Sequence, residues 1–252
     1  MRIRISSILL AAAALILGAQ TASAVTADEL VQRAHDYLRG RTSVSVVDMT
    51  IHRPSWERSM TIKAWTRGVE DSIFKIIEPA KDKDNGTLKL GHEMWTYNPK
   101  INRVIKIPPS MMSQSWMGSD FSNNDLAKSD TILTDYTHTI IGQEQHEGKT
   151  VYVIESIPKP HAPVVWGKQV LKVREDDIYI SQEFFDEDMQ SVKILEMLKI
   201  SEMGGKLYPT VWKMHKTDVT DEYTVLDYKE LHFDVDLSDD LFTVQALKRP
   251  LR

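Results

Sequence analysis

From Ser43 to Phe233 apolar and polar residues alternate with a period of two, run after run. That pattern places every second side chain on one face of a strand, and it admits little besides an antiparallel sheet with one dry face. The runs are SVSVVDMTIH, SMTIKAWTR, DSIFKIIE, GTLKLG, EMWTYN, NRVIKI, ILTDYTHTIIG, KTVYVIESI, KQVLKVRE, DIYISQEFF, SVKILEMLKI, LYPTVWKMHKT and YTVLDYKELHF. Most of the connections are short and polar: KDKDNG, with an Asn85-Gly86 hairpin signal, then QEQHEGK, REDD, DEDMQ, EMGGK and DVTDE. Strands joined in this way pair antiparallel, giving a meander of roughly 11 to 13 strands. A twisted sheet of that size curls or closes rather than staying flat. The expected fold is mainly β with some helix: a strongly curved antiparallel sheet forming an incomplete β-barrel. With no internal repeat, linker or shift in composition, residues 25–252 are expected to form one domain.

Three stretches break the rhythm. TADELVQRAHDYLRG opens with a capping box, Thr26 and Glu29, sets Leu30, Val31, Ala34, Tyr37 and Leu38 on one stripe, and stops at Gly40. This is an amphipathic helix. Over residues 108–128, Pro108-Pro109 ends a strand, a short helix is expected from Ser110 to Met117, Gly118 stops it, and Ser122 with Asp125 caps a further turn. The stretch IPKPHAPVVWGK, residues 157–168, holds three prolines and reads as an extended loop. The N-terminal helix and the short mid-chain helices are the expected covers for the concave face.

The mid-chain cover is crowded with Met111, Met112, Trp116, Met117 and Phe121. Two readings stand open. It is an ordinary packed cover, or it is a conformable lining, since methionine has three rotatable bonds and a polarisable sulfur. On the sheet, Met60, Ile62, Ala64, Phe74, Ile76, Val151, Val153, Ile157, Val192, Ile194, Leu198 and Ile200 are read as apolar strand faces, with Trp95 joining the wall. So few helices cannot cover so much apolar surface. Either the barrel closes upon a packed interior, or an apolar groove remains, and such a groove in water takes up a ligand.

The chain begins with Arg2 and Arg4, the apolar run ISSILLAAAALILGA, and a small-x-small site at Ala22-Ser23-Ala24. Residues 1–24 are therefore expected to be a signal peptide cut after Ala24, leaving a protein free in the periplasm. With no cysteine, stability has to come from the core rather than from disulfides, and a thioether-linked lipid anchor is not expected. A formal net charge of −5 gives nucleic acid no basic surface to bind.

Catalytic patterns are missing as well. His35, His52, His92, His138, His146, His161, His215 and His232 are scattered, without an H-E-x-x-H, and are expected at the surface. His138 and His146 could meet across a hairpin, yet no third ligand accompanies them. Ser119-Asp120 lacks the G-x-S-x-G of a nucleophile elbow, and Gly118 is not followed by a phosphate loop. The acidic turns at 175–177 and 186–189 match no calcium loop. No catalytic residue, metal or cofactor is expected. Arg103 has two readings, a solvated charge on the outer face or a contact to a cover carbonyl or a lipid headgroup.

The run MWTYNPKINRVIKIPPSMMSQSWMGSDFSNNDL, with W-x-Y-x-P, then Arg103, then S-W-M-G-S-D-F before Asp125-Leu126, resembles the outer-membrane lipoprotein-sorting proteins of the LolA-like superfamily. The leader, the first helix, the meander and the mid-chain interruption are similar too, so the resemblance spans most of the mature chain. It implies a half-barrel whose helix-covered concave side holds acyl chains. It also implies a periplasmic carrier of lipoproteins or lipids, with an inner-membrane transporter as donor and an outer-membrane acceptor. A monomer is expected. The alternative is an accessory or regulatory domain that senses a lipid or lipoprotein for an envelope transporter or stress system. Two departures stand out: extra strand-like sequence toward the C-terminus, and a lid arginine of the family that no motif places here, Arg103 being the candidate.

Overall fold

The computed structural model describes residues 25–250; the leader expected over 1–24 lies outside the described residues. In chain order the strands are β1 (Thr42–Arg53), β2 (Trp56–Arg67), β3 (Asp71–Glu78), β4 (Gly86–Leu90), β5 (Glu93–Asn98), β6 (Arg103–Lys106), β7 (Tyr136–His146), β8 (Lys149–Pro158), β9 (Lys168–Arg174), β10 (Tyr179–Phe185), β11 (Ser191–Met203), β12 (Lys206–Lys216) and β13 (Tyr223–Phe233). They form one 13-stranded sheet in the order β6-β5-β4-β3-β2-β1-β13-β12-β11-β10-β9-β8-β7. Each half of the chain is a meander. The halves meet at the centre, where β1 pairs with β13 from Ser43 opposite Phe233 to His52 opposite Tyr223. The sheet curves strongly but does not close, so β6 and β7 are its two edges.

That topology fixes the cover. The connection between β6 and β7 has to travel from one edge to the other, and it does so across the concave side through α2 (Asn123–Ala127) and α3 (Thr131–Thr134). The other concave cover is α1 (Ala27–Arg39). Its capping box forms as the sequence suggests: Glu29 N–H donates to Thr26 Oγ1 at 3.2 Å, and Thr26 N–H to Glu29 Oε2 at 3.0 Å. Leu30, Val31 and Ala34 are buried against Ile132, Tyr136, Ile154, Leu171, Val173 and Tyr179, over the β7–β10 end of the sheet.

A further cover was not anticipated. The C-terminal segment, ending in α4 (Val244–Lys248), packs on the convex face, where Phe242, Ala246 and Leu247 bury Ile73, Leu88 and Tyr97. Lys75 Nζ donates to Ala246 O at 3.0 Å, setting a cation at the carbonyl end of α4. The hairpin at Asn85-Gly86 is where the sequence puts it, but for another reason. The left-handed residue is Asp84 at φ 65°, while a Cβ on Gly86 would sit 2.8 Å from Leu247 Cδ1.

Two strand faces also differ from expectation. On β11 both faces are rich in apolar residues, so periodicity alone cannot choose between them. The inward face is Lys193, Leu195 and Met197, and Leu198 is 55% exposed. On β8 the inward residues include Ile154 and Ser156, which leaves Ile157 exposed at 39%. The adjacent β7 is irregular between Ile140 and Gly142. Such an irregularity shifts which side chains share a face.

Candidate functional site

The concave wall is built from three central columns whose polarity changes along the strands. On β1 the inward residues are Ser43, Ser45, Val47, Met49 and Ile51. Register aligns them with β2 and β3: Ser43 with Thr66 and Ser72, Ser45 with Ala64 and Phe74, Val47 with Ile62 and Ile76, and Met49 with Met60. One end of the wall is therefore hydroxylic and the other apolar. Ser43 Oγ and Thr66 Oγ1 share a hydrogen bond of 2.7 Å.

Over the apolar end lies the Met/Trp segment, which is not the helix expected from Ser110 to Met117. Two separate 3-10 turns, Pro109–Met111 and Trp116–Gly118, flank an irregular link, and Met117 at φ 52° with Gly118 at φ 81° turns the chain left-handed. The prolines and the three polar residues Ser113, Gln114 and Ser115 between the methionines give no continuous helical stripe. Hydrogen bonds hold the turns to one another: Trp116 N–H to Phe121 O at 2.7 Å, Asn124 N–H to Met112 O at 2.8 Å, and Asn123 Nδ2 to Met111 O at 3.0 Å. Ser122 and Asp125 do form the capping box expected of them.

The segment is fastened to the sheet at three points. The indole of Trp116, 6% exposed, donates to Thr87 Oγ1 at 3.0 Å and meets the Phe74 ring edge-on with centroids 5.4 Å apart. The Asp120 carboxylate, 2% exposed, receives both Nη atoms of Arg53 at 3.0 and 3.1 Å and the hydroxyl of Thr224 at 2.6 Å. Asp125 pairs with the buried ammonium of Lys193, which lies 4.8 Å from the Trp166 ring centroid. Charge-assisted bonds of this kind resist removal, because breaking one partner leaves a buried charge uncompensated.

Between the sheet and its covers is a cavity of about 280 Å³. Ile62, Phe74, Trp116, Phe121, Leu195, Trp212 and Leu226 line its apolar part. The proline loop borders it as well: Val165 and Trp166 line the cavity, Lys128 Nζ donates to Pro163 O at 2.6 Å, and Tyr136 Oη to Trp166 O at 3.0 Å. At the hydroxylic end stand Ser43, Ser72, His35 and Arg39, the last two from the final turns of α1, with Tyr208 and Tyr228. Burial pushes His35 down to about 4, with the charge of Arg39 acting in the same direction. Lys89, beside Ser72 in the sheet register, is held down to about 8 by burial, partly offset by Asp130, whose Oδ1 is 4.0 Å away. Burial lowers Arg39 too.

A family model described as "Uncharacterized protein" matches residues 68–249. The chain belongs to that family. Its fold is LolA-like. A DUF1329 family protein from Desulfovibrio piger superposes with a TM-score of 0.79 at 25% identity, covering 88% of this chain and 97% of that one. A Vibrio parahaemolyticus domain assigned to the outer membrane lipoprotein-sorting proteins gives 0.75 at 20% identity, with 88% and 98% covered. A LolA superfamily protein from Nitrosomonas europaea gives 0.73 at 24% identity, with 88% and 100% covered. No curated protein matches.

In this LolA-like frame most of the residues expected at the site come together. Met60, Ile62, Phe74, Met112, Trp116, Met117 and Phe121 share one cluster with Met49, Ile51, Ile76 and Met94. Ile62, Phe74, Trp116 and Phe121 reach the cavity, whereas Met60 lies deeper, as packing beneath it. Two residues stand apart. Met111 is 40% exposed, on the outside of its turn. Trp95 lies on the convex face with Leu88 and the C-terminal segment, under Lys106, because its neighbour Met94 takes the inward position. A strand offers one residue of each such pair to each face.

The arginine at the cavity is Arg39 rather than Arg103. Arg103 is exposed on edge strand β6, with no side-chain partner among the described residues. The sequence did hold a signal for Arg39, since it lies one further step of four beyond Val31 and His35, which are on the buried stripe of α1. Nor are the histidines all at the surface: His35 and His138 are buried, and His138 Nδ1 meets Ser156 Oγ at 2.7 Å. His146 instead neighbours Arg174, at 3.3 Å. The acidic turns have partners of their own: Asp176 with Arg174 at 2.8 Å, Asp177 with Arg33 at 2.6 Å, and Asp186 with the amide of Gln190 at 2.8 Å.

Proposed function

We propose that the protein is a periplasmic carrier, exported by the leader over 1–24, that shields the acyl chains of a lipoprotein or lipid while they move toward the outer membrane. The carrying observation is the cavity of about 280 Å³ between an open curved sheet and covers that leave its apolar wall unfilled. Filling such a space with methylenes is favourable by about 0.8 kcal/mol for each one buried. The LolA-like fold supports the same reading. In it the protein works as a monomer without catalysis, receiving cargo from an inner-membrane transporter and giving it to an outer-membrane acceptor.

The test is purification from the periplasm under native conditions, followed by mass spectrometry of the apolar molecules extracted. Labelled lipid bound to the protein is then offered to acceptor vesicles. Co-purified acyl compounds and transfer to the vesicles are the expected results. If nothing co-purifies and no fluorescent lipid probe binds, the carrier reading fails.

A further inference from the structure

The cavity is not uniformly greasy, and its polar end has an imbalance of charge. The described residues contain six buried side-chain polar atoms without a hydrogen-bond partner, and four are gathered at this end: His35 Nδ1, Arg39 Nε, Ser72 Oγ and Asp130 Oδ1. Arg39 makes no hydrogen bond or ion pair among the described residues, although it lines the cavity and its Nε is buried. An arginine in the last turn of a helix ordinarily bonds the terminal carbonyls, yet here the N–H of Gly40 takes Asp36 O and Arg39 takes none. Lys89 donates to Val69 O, and its charge is set against Asp130, which also meets His92 at 3.4 Å. With Lys89 and Asp130 offsetting each other and His35 neutral, the guanidinium is the uncompensated charge. A half-buried guanidinium whose Nε is buried without a partner is unfavourable by itself and becomes favourable when an anion joins it.

We propose that this pole seats the anionic head of an amphiphile, a carboxylate or phosphate ester held by Arg39 with the hydroxyls of Ser72 and Tyr228 beside it. This deepens the carrier reading and rests on it. The chain attached to that head runs down the β1–β3 columns from the Ser43 row to the Val47 row, roughly 13 Å of strand, and ends against the packed floor of Met49, Met60 and Trp116. Polarity thus assigns the ligand's direction as well as its class.

The experiment compares dodecanoate, dodecyl phosphate, dodecanol and inorganic phosphate by calorimetric titration of delipidated protein, for wild type, Arg39→Gln and Arg39→Lys. Wild type is expected to bind the two anionic amphiphiles about tenfold or more tightly than dodecanol, the range of one hydrogen-bonded charge. Arg39→Gln should erase that preference, weakening the two anions about tenfold or more relative to dodecanol, and Arg39→Lys should keep part of it. A merely structural Arg39 would alter all the chains alike. If wild type binds dodecanol and dodecanoate equally, the anionic pole is wrong and the carrier stands. If inorganic phosphate binds as well as dodecyl phosphate, the site takes a free anion and the amphiphile assignment is overturned. If no chain binds, both readings fall.

Discussion

Ala64→Phe tests the cavity most directly. Ala64 is on the inward column of β2, between Ile62 and Thr66 and opposite Ser45 and Phe74, so a ring there projects into the space that a ligand would use. At about 24 cal/mol per Å³, filling all of the 280 Å³ would be worth at most about 7 kcal/mol, the equivalent of roughly eight or nine methylenes. One ring recovers only part of that. Phe→Ala in a shaped core costs about 3–5 kcal/mol, and a site not shaped for a ring gives back about 1–3 kcal/mol in strain. The net expectation is a gain of about 1–3 kcal/mol. For a chain of this size that raises Tm by roughly 2–12 °C, measured by circular dichroism. In the same sample the affinity for a fluorescent acyl probe should fall about tenfold or more. Probe binding equal to wild type refutes the placement of the ligand. A lowered Tm with lost structure shows instead that the space is not available.

Three further outcomes follow from the geometry. Thr87→Val keeps the shape of the side chain but leaves the Trp116 indole N–H buried without an acceptor; the urea midpoint should report a loss of about 1–3 kcal/mol, and no loss would show that the bond contributes nothing. Asp120→Ala removes the carboxylate that holds Arg53 and Thr224, with Glu222 remaining 3.5 Å from Arg53, so the expected loss is about 2–4 kcal/mol together with faster probe release; unchanged release would mean that this fastening does not control the cover. His35 has an ordinary value of 6.5 and is held to about 4 in the fold, so the unfolded chain binds its proton first. Stability is therefore lost as pH falls from 6.5 to 4, by up to about 3 kcal/mol, and fully retained above 6.5. Wild type should thus lose ground to His35→Gln across that window; a constant difference between the two would contradict the burial of a neutral His35.

What the residues specify locally, they specify well. Alternation delivers all thirteen strands and the inward columns Ser43 to Ile51 and Met60 to Thr66, because side-chain direction in a strand is settled by neighbours two positions away. The Thr26–Glu29 and Ser122–Asp125 boxes are equally local, each closed within four residues. The same alternation is silent where both faces of a strand are apolar, which is why Lys193 and Leu195 rather than Val192 and Ile194 face inward on β11, and why Met94 displaces Trp95. Asp125 and the C-terminal segment choose those faces, and both lie far away along the chain. The pairing of β1 with β13, the passage of residues 107–135 across the concave side and the gathering of His35, Arg39, Ser72, Lys89 and Asp130 at one pole are likewise tertiary decisions. Burial energy summed over the whole sheet decides which strands meet and what covers them, and no short window of sequence contains that sum.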